Sequence, residues 1–448
     1  STSSGTGTGS GTPAAESGTG KVTVSGKIYY EHVPVNTSTK TLNTSAITSR
    51  PARAITVYLT NAYSTVISQT TTDSTGTYSL TGTVSSATFY IVAVAEMKKT
   101  TSPTYDFSVA NTVSAGSAGS TYAVYSSTQN TRSCTSSCTV NVTAVDSNRS
   151  NGPFSLLDVA YIAIQKVLTA NSSTIFPKLV FKWTSSSTSG SYFTTSSATC
   201  GSGIPNCIVL LGYRSSDSDE FDRHVVAHEF THYLESALSR SDSIGGSHST
   251  NDLLEPRIAY GEGLGNAMSA IFMDDPVYTD TTYSGGFNIN METGTHTLNG
   301  FYSEGSVQSI IYDLYDSSVD SKNSKSDSLN YSFSKIWTGI LALKNISGIT
   351  YIHEFIAAVK TDNPSDVTAI NNITGMELLA ADEISEGNVT ASSNYVSTTH
   401  TCTGSLSTYP YLPIIQSYSG TGTVLSTTAF AESQWCGMVG VANNKLFG

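Results

Sequence analysis

Five consecutive residues, His228-Glu229-Phe230-Thr231-His232, carry side chains that could bind a metal ion and activate water. On a helix, residues four apart share one face, so both imidazoles can reach a single ion. Zn²⁺ suits this ligand type, and Glu229 can then serve as the base that takes a proton from water. The run therefore predicts metal-assisted hydrolysis with one Zn²⁺. Ca²⁺ stays open as a further ion, but no motif supports it.

A third protein ligand is expected, because catalytic zinc sites keep one of four positions open for water. Glu262 is the best candidate, since it begins an apolar, helix-spaced stretch in Gly261-Glu262-Gly263-Leu264-Gly265-Asn266. Glu255, which stands in a predicted loop directly before Pro256, is the rival ligand. Both Glu262 and Glu255 therefore remain candidates for the third ligand.

His-Glu-x-x-His followed by Gly-Glu-Gly resembles the gluzincin metalloproteases, and fungalysin more than thermolysin. The resemblance implies an α+β zincin domain with His228, His232 and Glu262 as ligands and Glu229 as catalytic base. Those proteases place an Asp four residues after the ligand Glu, where it orients a zinc-bound His. Here that residue is Asn266, whose oxygen can accept the imidazole N–H but carries no charge.

Gluzincins also supply a His or Tyr from a downstream segment to stabilise the oxyanion, and His296 and Tyr302 are the candidates here. His224 lies one turn before His228 and is expected to support the site or lie at its rim. His248 and Glu304 are expected to support it too, or to serve only loop packing. A narrower resemblance, over about residues 150–320, is to secreted bacterial proteins that share runs like Asp222–Phe230, Gly245–Ser249, Glu255–Ala259 and Tyr302–Leu314.

The elements that must position these residues can be read from periodicity. A helix from about Phe221 to Arg240, with Asp219 as N-cap, should carry the motif. Three short strands should support it, and Cys207–Leu211 could be the sheet edge to which a peptide adds. The other predicted strands are Lys178–Trp183 and Ser191–Thr195; the other helices are one around Leu157–Leu168, Ala259–Phe272, Glu304–Asp316, Ser332–Lys344 and Tyr351–Lys360.

An N-terminal domain is predicted ahead of the metal site, because short alternating segments there are separated by Gly, Ser and Asn turns. Its run from Arg53 to Leu80 resembles carboxypeptidase regulatory-like and Cna B-type domains, which implies a transthyretin-like, antiparallel β-sandwich. The predicted organisation is multidomain: a Gly/Ser/Thr tether at 1–20, an all-β sandwich at 21–127, an α+β zincin metalloprotease domain at 128–392 and a β-rich C-terminal cap at 393–448.

The amino-acid composition limits the classes of partner that we expect for this protein. Only 12% of the 448 residues are charged, against roughly 25% in ordinary globular proteins. The formal net charge is −12 and no Lys/Arg cluster occurs, which argues against nucleic acid and anionic membrane as partners. The expected substrate is a peptide or protein. Tethers like residues 1–20 commonly follow the lipidated Cys of bacterial lipoproteins, so attachment through a lipid on a Cys outside this sequence is one expectation, and self-assembly through the tail is another.

Six cysteines fall as three pairs, which an oxidising compartment would join as disulfides. We therefore expect an exported bacterial protein, extracellular or on the cell surface. A secreted zinc metallopeptidase is the leading function; the alternative is a catalytically weak homologue that serves as a filament or surface-layer subunit. The predicted pairs are Cys134–Cys138, Cys200–Cys207 and Cys402–Cys436.

Overall fold

The computed structural model describes residues 20–379 apart from 62–64, 135–136, 247, 295 and 347–348, together with six short strands between 388 and 447. The predicted tether at 1–19 and the pair Cys402–Cys436 lie outside the described residues. Eight helices and several mixed sheets are present in the described part of the chain. The protein is therefore a multidomain mixture of helices and strands.

The strands are numbered in chain order. They are β1 Gly20–His32, β2 Val35–Asn36, β3 Thr41–Leu42, β4 Thr48–Pro51, β5 Ile55–Thr60, β6 Val66–Thr71, β7 Thr77–Val84, β8 Thr88–Lys99, β9 Tyr105–Ala110, β10 Ala123–Tyr125, β11 Gln129–Asn130, β12 Cys138–Thr139, β13 Val142–Ala144, β14 Leu179–Lys182, β15 Tyr192–Thr194, β16 Cys207–Val209, β17 Gly212–Tyr213, β18 Asp217–Ser218, β19 Val277–Asp280, β20 Phe287–Asn290, β21 Ser321–Lys322, β22 Lys325–Ser326, β23 Asn388–Ala391, β24 Val396–Thr399, β25 Ile414–Tyr418, β26 Val424–Ala429, β27 Gly440–Ala442 and β28 Lys445–Phe447.

The helices follow the same convention. They are α1 Gly152–Ala170, α2 Ser197–Cys200, α3 Arg223–Leu238, α4 Pro256–Met273, α5 Glu304–Asp313, α6 Phe333–Ala342, α7 Ile352–Asp362 and α8 Val367–Met376. The predicted motif helix is found as α3, but it begins after Asp222 and not after Asp219. The carboxylate of Asp219 accepts instead from the Ser191 hydroxyl. Helices α2 and α8 were not predicted.

The chain divides into two compact units. The first contains the described residues up to 32 and residues 48–98 and 121–154. In it, β1 pairs antiparallel with β4 and β7 and parallel with β12 and β13, while β8 pairs antiparallel with β5, β10 and β11. Every second residue of β1 is buried, as expected for a strand with one face on the core. The two parallel partners of β1 lie after the predicted domain end at 127, so they do not test the antiparallel arrangement predicted for 21–127. The transthyretin-like sandwich stays a proposal.

The second unit contains residues 33–47, 99–120 and 155 onward. Its main sheet has the order β15–β16–β14–β9, in which β9, β14 and β16 are parallel and β15 is antiparallel to β16. All four residues of β14 are buried, which is typical of a parallel strand covered on both faces. Strand β9 lies before the predicted boundary at 127, yet it belongs to this sheet.

The prediction that Cys207–Leu211 is the sheet edge was wrong. Strand β16 pairs with β14 on one side and with β15 on the other, so it lies inside the sheet. Among the described strands of this unit, β15 is the outer one. Strands β15 and β16 have only three residues each, which is too short for a periodic signal that distinguishes an inner strand from an edge.

Helix α1 is the one described helix that is long and apolar enough to cross a membrane by length and composition, with a hydropathy of 1.2. Most of its apolar side chains, including Leu157, Ile164 and Val167, are buried, as in the core helix of a globular domain. Two of the three predicted disulfides are present, Cys134–Cys138 and Cys200–Cys207. They fit an oxidising compartment.

Candidate metal centre

Helix α3 presents its two motif imidazoles side by side. The Nε2 atoms of His228 and His232 lie 3.0 Å apart, and their ring planes cross at 84°. The opposite face of α3 carries Phe230 and Tyr233, whose rings contact Phe107 of β9 at 5.7 and 5.8 Å between centroids. This aromatic packing against the sheet fixes the rotation of α3, and with it the direction in which the imidazoles point.

Glu262 reaches the same point from α4. Its Oε2 lies 3.0 Å from the Nε2 of His228 and 3.4 Å from the Nε2 of His232. Atoms bound tetrahedrally at about 2.0–2.1 Å from one ion are separated by roughly 3.3 Å, so these three atoms have the spacing of a zinc site with one open position. The rival Glu255 is the N-cap of α4 and accepts from the N and Nε of Arg257.

The charges at this point favour a cation. Burial alone would lower the pKa of His232, but the Glu262 carboxylate outweighs it and raises that pKa to about 10. Burial would likewise raise the pKa of Glu262, yet His232, His228 and His248 hold it well below its ordinary value. The donor set, its spacing and its charge therefore fit a divalent metal ion.

Glycines allow the helices to approach closely enough. A Cβ on Gly265 would lie 2.7 Å from the His228 ring, and a Cβ on Gly263 would lie 2.5 Å from Val307 of α5. A Cβ on Gly261, by contrast, would meet nothing closer than 3.6 Å. The two glycines after Glu262 thus serve packing, Gly265 against an imidazole and Gly263 against the neighbouring helix.

Asn266 fixes the tautomer of His228. Its Oδ1 lies 2.9 Å from the Nδ1 of His228, and its Nδ2 donates to the Oε1 of Gln308 at 2.9 Å. Because Gln308 takes the amide N–H, the Asn266 oxygen must face the imidazole and accept its Nδ1 proton. The Nε2 of His228 is then left with a lone pair for the metal. This contact supports the predicted role of Asn266, which is to orient His228.

Glu229 lies beside the three ligands but is not one of them. Its Oε2 accepts the backbone N–H of Phe193 in β15 at 2.7 Å, and the side chain lines the same cavity. The other oxygen is left to face the cavity. This position beside the metal, with one oxygen held by the edge strand, suits a group that moves a proton at the site.

The cavity has a volume of about 990 Å³, a size that holds a short stretch of substrate. His248 and Glu304, predicted as supporting residues, both line it. The Nε2 of His248 lies 3.2 Å from the Oε2 of Glu262 and 3.6 Å from the Oε2 of Glu304. The structure therefore brings these two residues to the metal centre.

The other predicted residues lie elsewhere. His296 is buried in a separate network, with its Nε2 2.6 Å from the Oε2 of Glu377 and 3.1 Å from the Nζ of Lys322. Tyr302 packs on Phe301, with ring centroids 5.3 Å apart. Neither is among the described residues that line the cavity. Sequence order placed both after Glu262 but could not show which direction their loop takes.

His224 lies behind the cavity wall. Its Nε2 bonds the backbone oxygen of Asp275 at 3.1 Å, and its ring lies 5.7 Å from that of Tyr278. Burial lowers the pKa of His224, so the ring is neutral at neutral pH. The contact with Tyr278, which lines the cavity, means that His224 supports the wall from behind and does not lie at its rim.

Several lining residues escaped the sequence analysis. They come from β19 and β20 and from the segment around β18: Asp217, Asp219, Tyr278, Asp280, Phe287 and Ile289. The alternation Tyr278-Thr-Asp280 and Phe287-Asn-Ile289 around the glycine turn at Gly285-Gly286 was the available signal, since it predicts a hairpin with one shared face.

Residues 164–361 match the family model described as the Mycolysin C-terminal domain. None of the curated proteins matches the sequence. Solved structures that match include the precursor of protealysin, a metalloproteinase from Serratia proteamaculans, at 10% identity; the alignment covers 62% of this chain and 88% of that one with a TM-score of 0.35. The stretch matched by the family model contains all three metal-ligand candidates and Glu229.

Proposed function

We propose that the chain is a zinc metallopeptidase that hydrolyses peptide bonds in peptide or protein substrates. One observation carries this proposal: two imidazole Nε2 atoms and one carboxylate oxygen converge at the wall of a cavity, and Glu229 stands beside them. Three protein ligands with a fourth position open are the arrangement of catalytic zinc, whereas structural zinc sites are closed by four.

His228, His232 and Glu262 would hold the ion. When bound, Zn²⁺ supplies a Lewis acid that polarises the scissile carbonyl and lowers the pKa of water at the site to about 7. Glu229 takes the proton of the attacking water on its free oxygen and delivers it to the leaving nitrogen. The bond from Phe193 N–H keeps this carboxylate in place while it changes protonation state.

Substrate would lie along β15. Ser191, Tyr192 and Phe193 line the cavity, and within the described residues β15 has a paired strand only on its β16 side. An extended peptide can therefore add to the outer edge and bring one of its carbonyls to the metal. His248 lines the cavity 3.2 Å from the Glu262 carboxylate and is the candidate donor to the developing oxyanion, in place of His296 and Tyr302.

We also propose an exported protein, extracellular or at the bacterial cell surface. Two disulfides in a chain of low charge support this compartment. Tethering through a preceding lipidated Cys, and self-assembly through the tail, stay predictions that concern residues outside the described part.

The function is tested by metal analysis and hydrolysis on the same sample. Purified protein should contain one zinc per chain and cleave casein or a mixed peptide library. A chelator should abolish cleavage, and added Zn²⁺ should restore it. Zinc at one per chain without any cleavage would favour the catalytically weak structural homologue; absence of zinc binding would reject the metal centre itself.

A further inference from the structure

Three carboxylates that are not metal-ligand candidates stand together in the same cavity. One oxygen from each of Asp217, Asp219 and Asp280 lies within 4.8 Å of the others, and all three side chains line the cavity. Asp217 and Asp219 come from the segment of β18, and Asp280 is the last residue of β19. The metal ligands and this trio therefore face the same space.

No Lys or Arg is among the lining residues that the structure describes. Asp219 is 2% exposed, and its Oδ1 has no hydrogen-bond partner in the described structure. Apart from burial, the strongest influences on its pKa are the charges of Asp222, Asp280 and Asp217, all of which raise it. Burial and Asp217 likewise raise the pKa of Asp280 to about 7. Such mutual repulsion is relieved by a cation.

Tyr278 gives an independent indication that a ligand belongs here. The residue is only 7% exposed and lines the cavity, yet its hydroxyl has no hydrogen bond among the described residues. Because the hydroxyl is not closed off from the cavity, it is available to a molecule bound there. The charges of Asp280, Glu229 and Asp219 all act on this phenol, which therefore lies near both the trio and the catalytic carboxylate.

The same hairpin provides an apolar wall. Tyr278 pairs with Ile289 and Asp280 with Phe287, so these four side chains share one face. The rings of Tyr278 and Phe287 are stacked, with centroids 6.2 Å apart and planes at 14°. Phe287 is 49% exposed, which leaves apolar ring surface for a ligand to cover.

We infer that Asp217, Asp219 and Asp280 form a substrate subsite for the side chain of a lysine or arginine near the scissile bond. The aliphatic stem packs on Phe287 and Ile289, while the cationic group reaches the carboxylates and the Tyr278 ring and hydroxyl. This inference rests on the proposed peptidase function and names its substrate class: peptides that carry a basic residue at one defined position.

A bound Ca²⁺ fits these features less well. Calcium takes six to eight oxygen ligands, while the trio offers three carboxylates at a cavity wall. The stacked rings and Ile289 beside the trio have no role around a calcium ion, but they match the stem of a long basic side chain. The mixed character of the wall therefore favours an organic cation.

The test uses fluorogenic peptides in which one position after another carries Arg, norleucine or Glu in an otherwise neutral sequence. Wild type should cleave the Arg peptide at least about tenfold faster in kcat/KM than its norleucine counterpart at one position, with Glu the poorest. Asp280→Asn should reduce this Arg-to-norleucine ratio about tenfold, and Asp280→Lys should favour Glu. Asp362→Asn, an exposed change in α7, should keep the wild-type ratio.

Binding is measured in parallel by fluorescence anisotropy of the same peptides on Glu229→Gln, alone and combined with Asp280→Asn. If wild type cleaves nothing, the peptidase proposal fails, while a binding preference for Arg that Asp280→Asn abolishes still supports the subsite. Equal Arg-to-norleucine ratios in wild type and Asp280→Asn would overturn the subsite. Micromolar binding of Ca²⁺ without peptide, lost in Asp280→Asn, would also overturn it. Asp217→Asn, at a half-buried position, repeats the test if Asp280→Asn does not fold.

Discussion

His228 can act as a ligand because Asn266 and Gln308 fix the proton on its Nδ1, the ring nitrogen that does not face the metal. The contact from Asn266 holds the proton on Nδ1, and Gln308 holds the amide of Asn266 in the one orientation that can accept it. In the gluzincin pattern that the sequence resembles, this position is a carboxylate, whereas Asn266 is an uncharged amide. It supplies orientation without the added negative charge that would strengthen the imidazole as a donor.

Replacing Asn266 by Ala should therefore weaken zinc binding by about 10–100-fold, since the tautomer and ring orientation of His228 are no longer fixed. Asn266→Asp should bind zinc at least as tightly as wild type. A chelator competition titration measures both. Asn345→Ala, an exposed change outside the site, is the control. Equal affinities for wild type and Asn266→Ala would mean that the contact has no part in metal binding.

At this scale the sequence carried most of the information about the ligands. The i, i+4 spacing of His228 and His232 on a helix predicts a shared face whatever the tertiary fold. The oxyanion donor could not be predicted in this way, because sequence order does not show which downstream residue turns toward the metal. His296 and Tyr302 were the candidates, but His296 bonds Glu377 and neither is among the described residues that line the cavity.

At the scale of elements, the metal centre depends on how closely α4 approaches α3. Gly265 sits where a side chain would collide with the His228 ring, while Gly261, on the same helix, has room for a methyl group. The two positions provide a matched pair, because both are helical glycines within three residues of Glu262.

We expect Gly265→Ala to displace the His228 ring and reduce zinc affinity at least about tenfold, a loss comparable to that of an orienting contact. Gly261→Ala should retain zinc and stabilise the protein by about 0.5–1 kcal/mol, because Ala has the higher helix propensity. Zinc content after dialysis and thermal melts of both variants make the comparison. Retention of zinc by Gly265→Ala at wild-type affinity would show that α4 can move away without loss of the site.

Helix periodicity predicted α3 to α7 to within a few residues at most ends, but it did not show how the sheet is assembled. Strand β15 has three residues, and its neighbour β16 has three; neither carries an alternation long enough to reveal its place in a sheet. The order β15–β16–β14–β9 is set by packing on α3 through Phe107 and Phe181, which are distant in sequence. Long-range packing of this kind cannot be read from local pattern.

At the scale of the whole molecule, acid stability should depend on a buried ion pair between Glu377 and its partners His296 and Lys322. Burial acts to raise the pKa of Glu377, but contacts from His296, Lys322 and Ser306 outweigh it and lower that pKa below 4.5. A carboxylate with a lowered folded pKa stabilises the fold above its unfolded pKa of about 4.5, and that contribution is lost as pH falls through the folded value.

Glu377→Gln should cost about 3 kcal/mol at neutral pH, since it leaves the partners of a buried carboxylate without its charge. The difference from wild type should shrink as pH falls below about 4.5, because wild type then loses the same charge. Urea unfolding of both proteins from pH 7 down to 3 measures this, with Asp362→Asn as the control. A difference that stays constant over this range would contradict the assigned role of Glu377.

A chain that started at the predicted boundary of 127 would lack β9. That strand lies before the boundary and pairs with β14 in the second unit. Composition and turn signals indicated two regions of different character, and two compact units are found. Their exchange of chain segments, with residues 33–47 and 99–120 in the second unit, has no local signature.

The central claim is that ligation and proton transfer belong to different carboxylates. Glu229→Gln keeps the shape of the side chain and its contact with Phe193, so it should retain one zinc per chain. Its kcat/KM should fall by roughly 10²–10⁴-fold, the loss typical of a missing general base. Glu262→Ala removes a ligand and should lose both zinc and activity.

Zinc content and peptide hydrolysis measured on these two variants and wild type, from the same preparations, give the most direct test. We predict full zinc with little activity for Glu229→Gln, and neither for Glu262→Ala. Full zinc in Glu262→Ala, or wild-type activity in Glu229→Gln, would contradict the account.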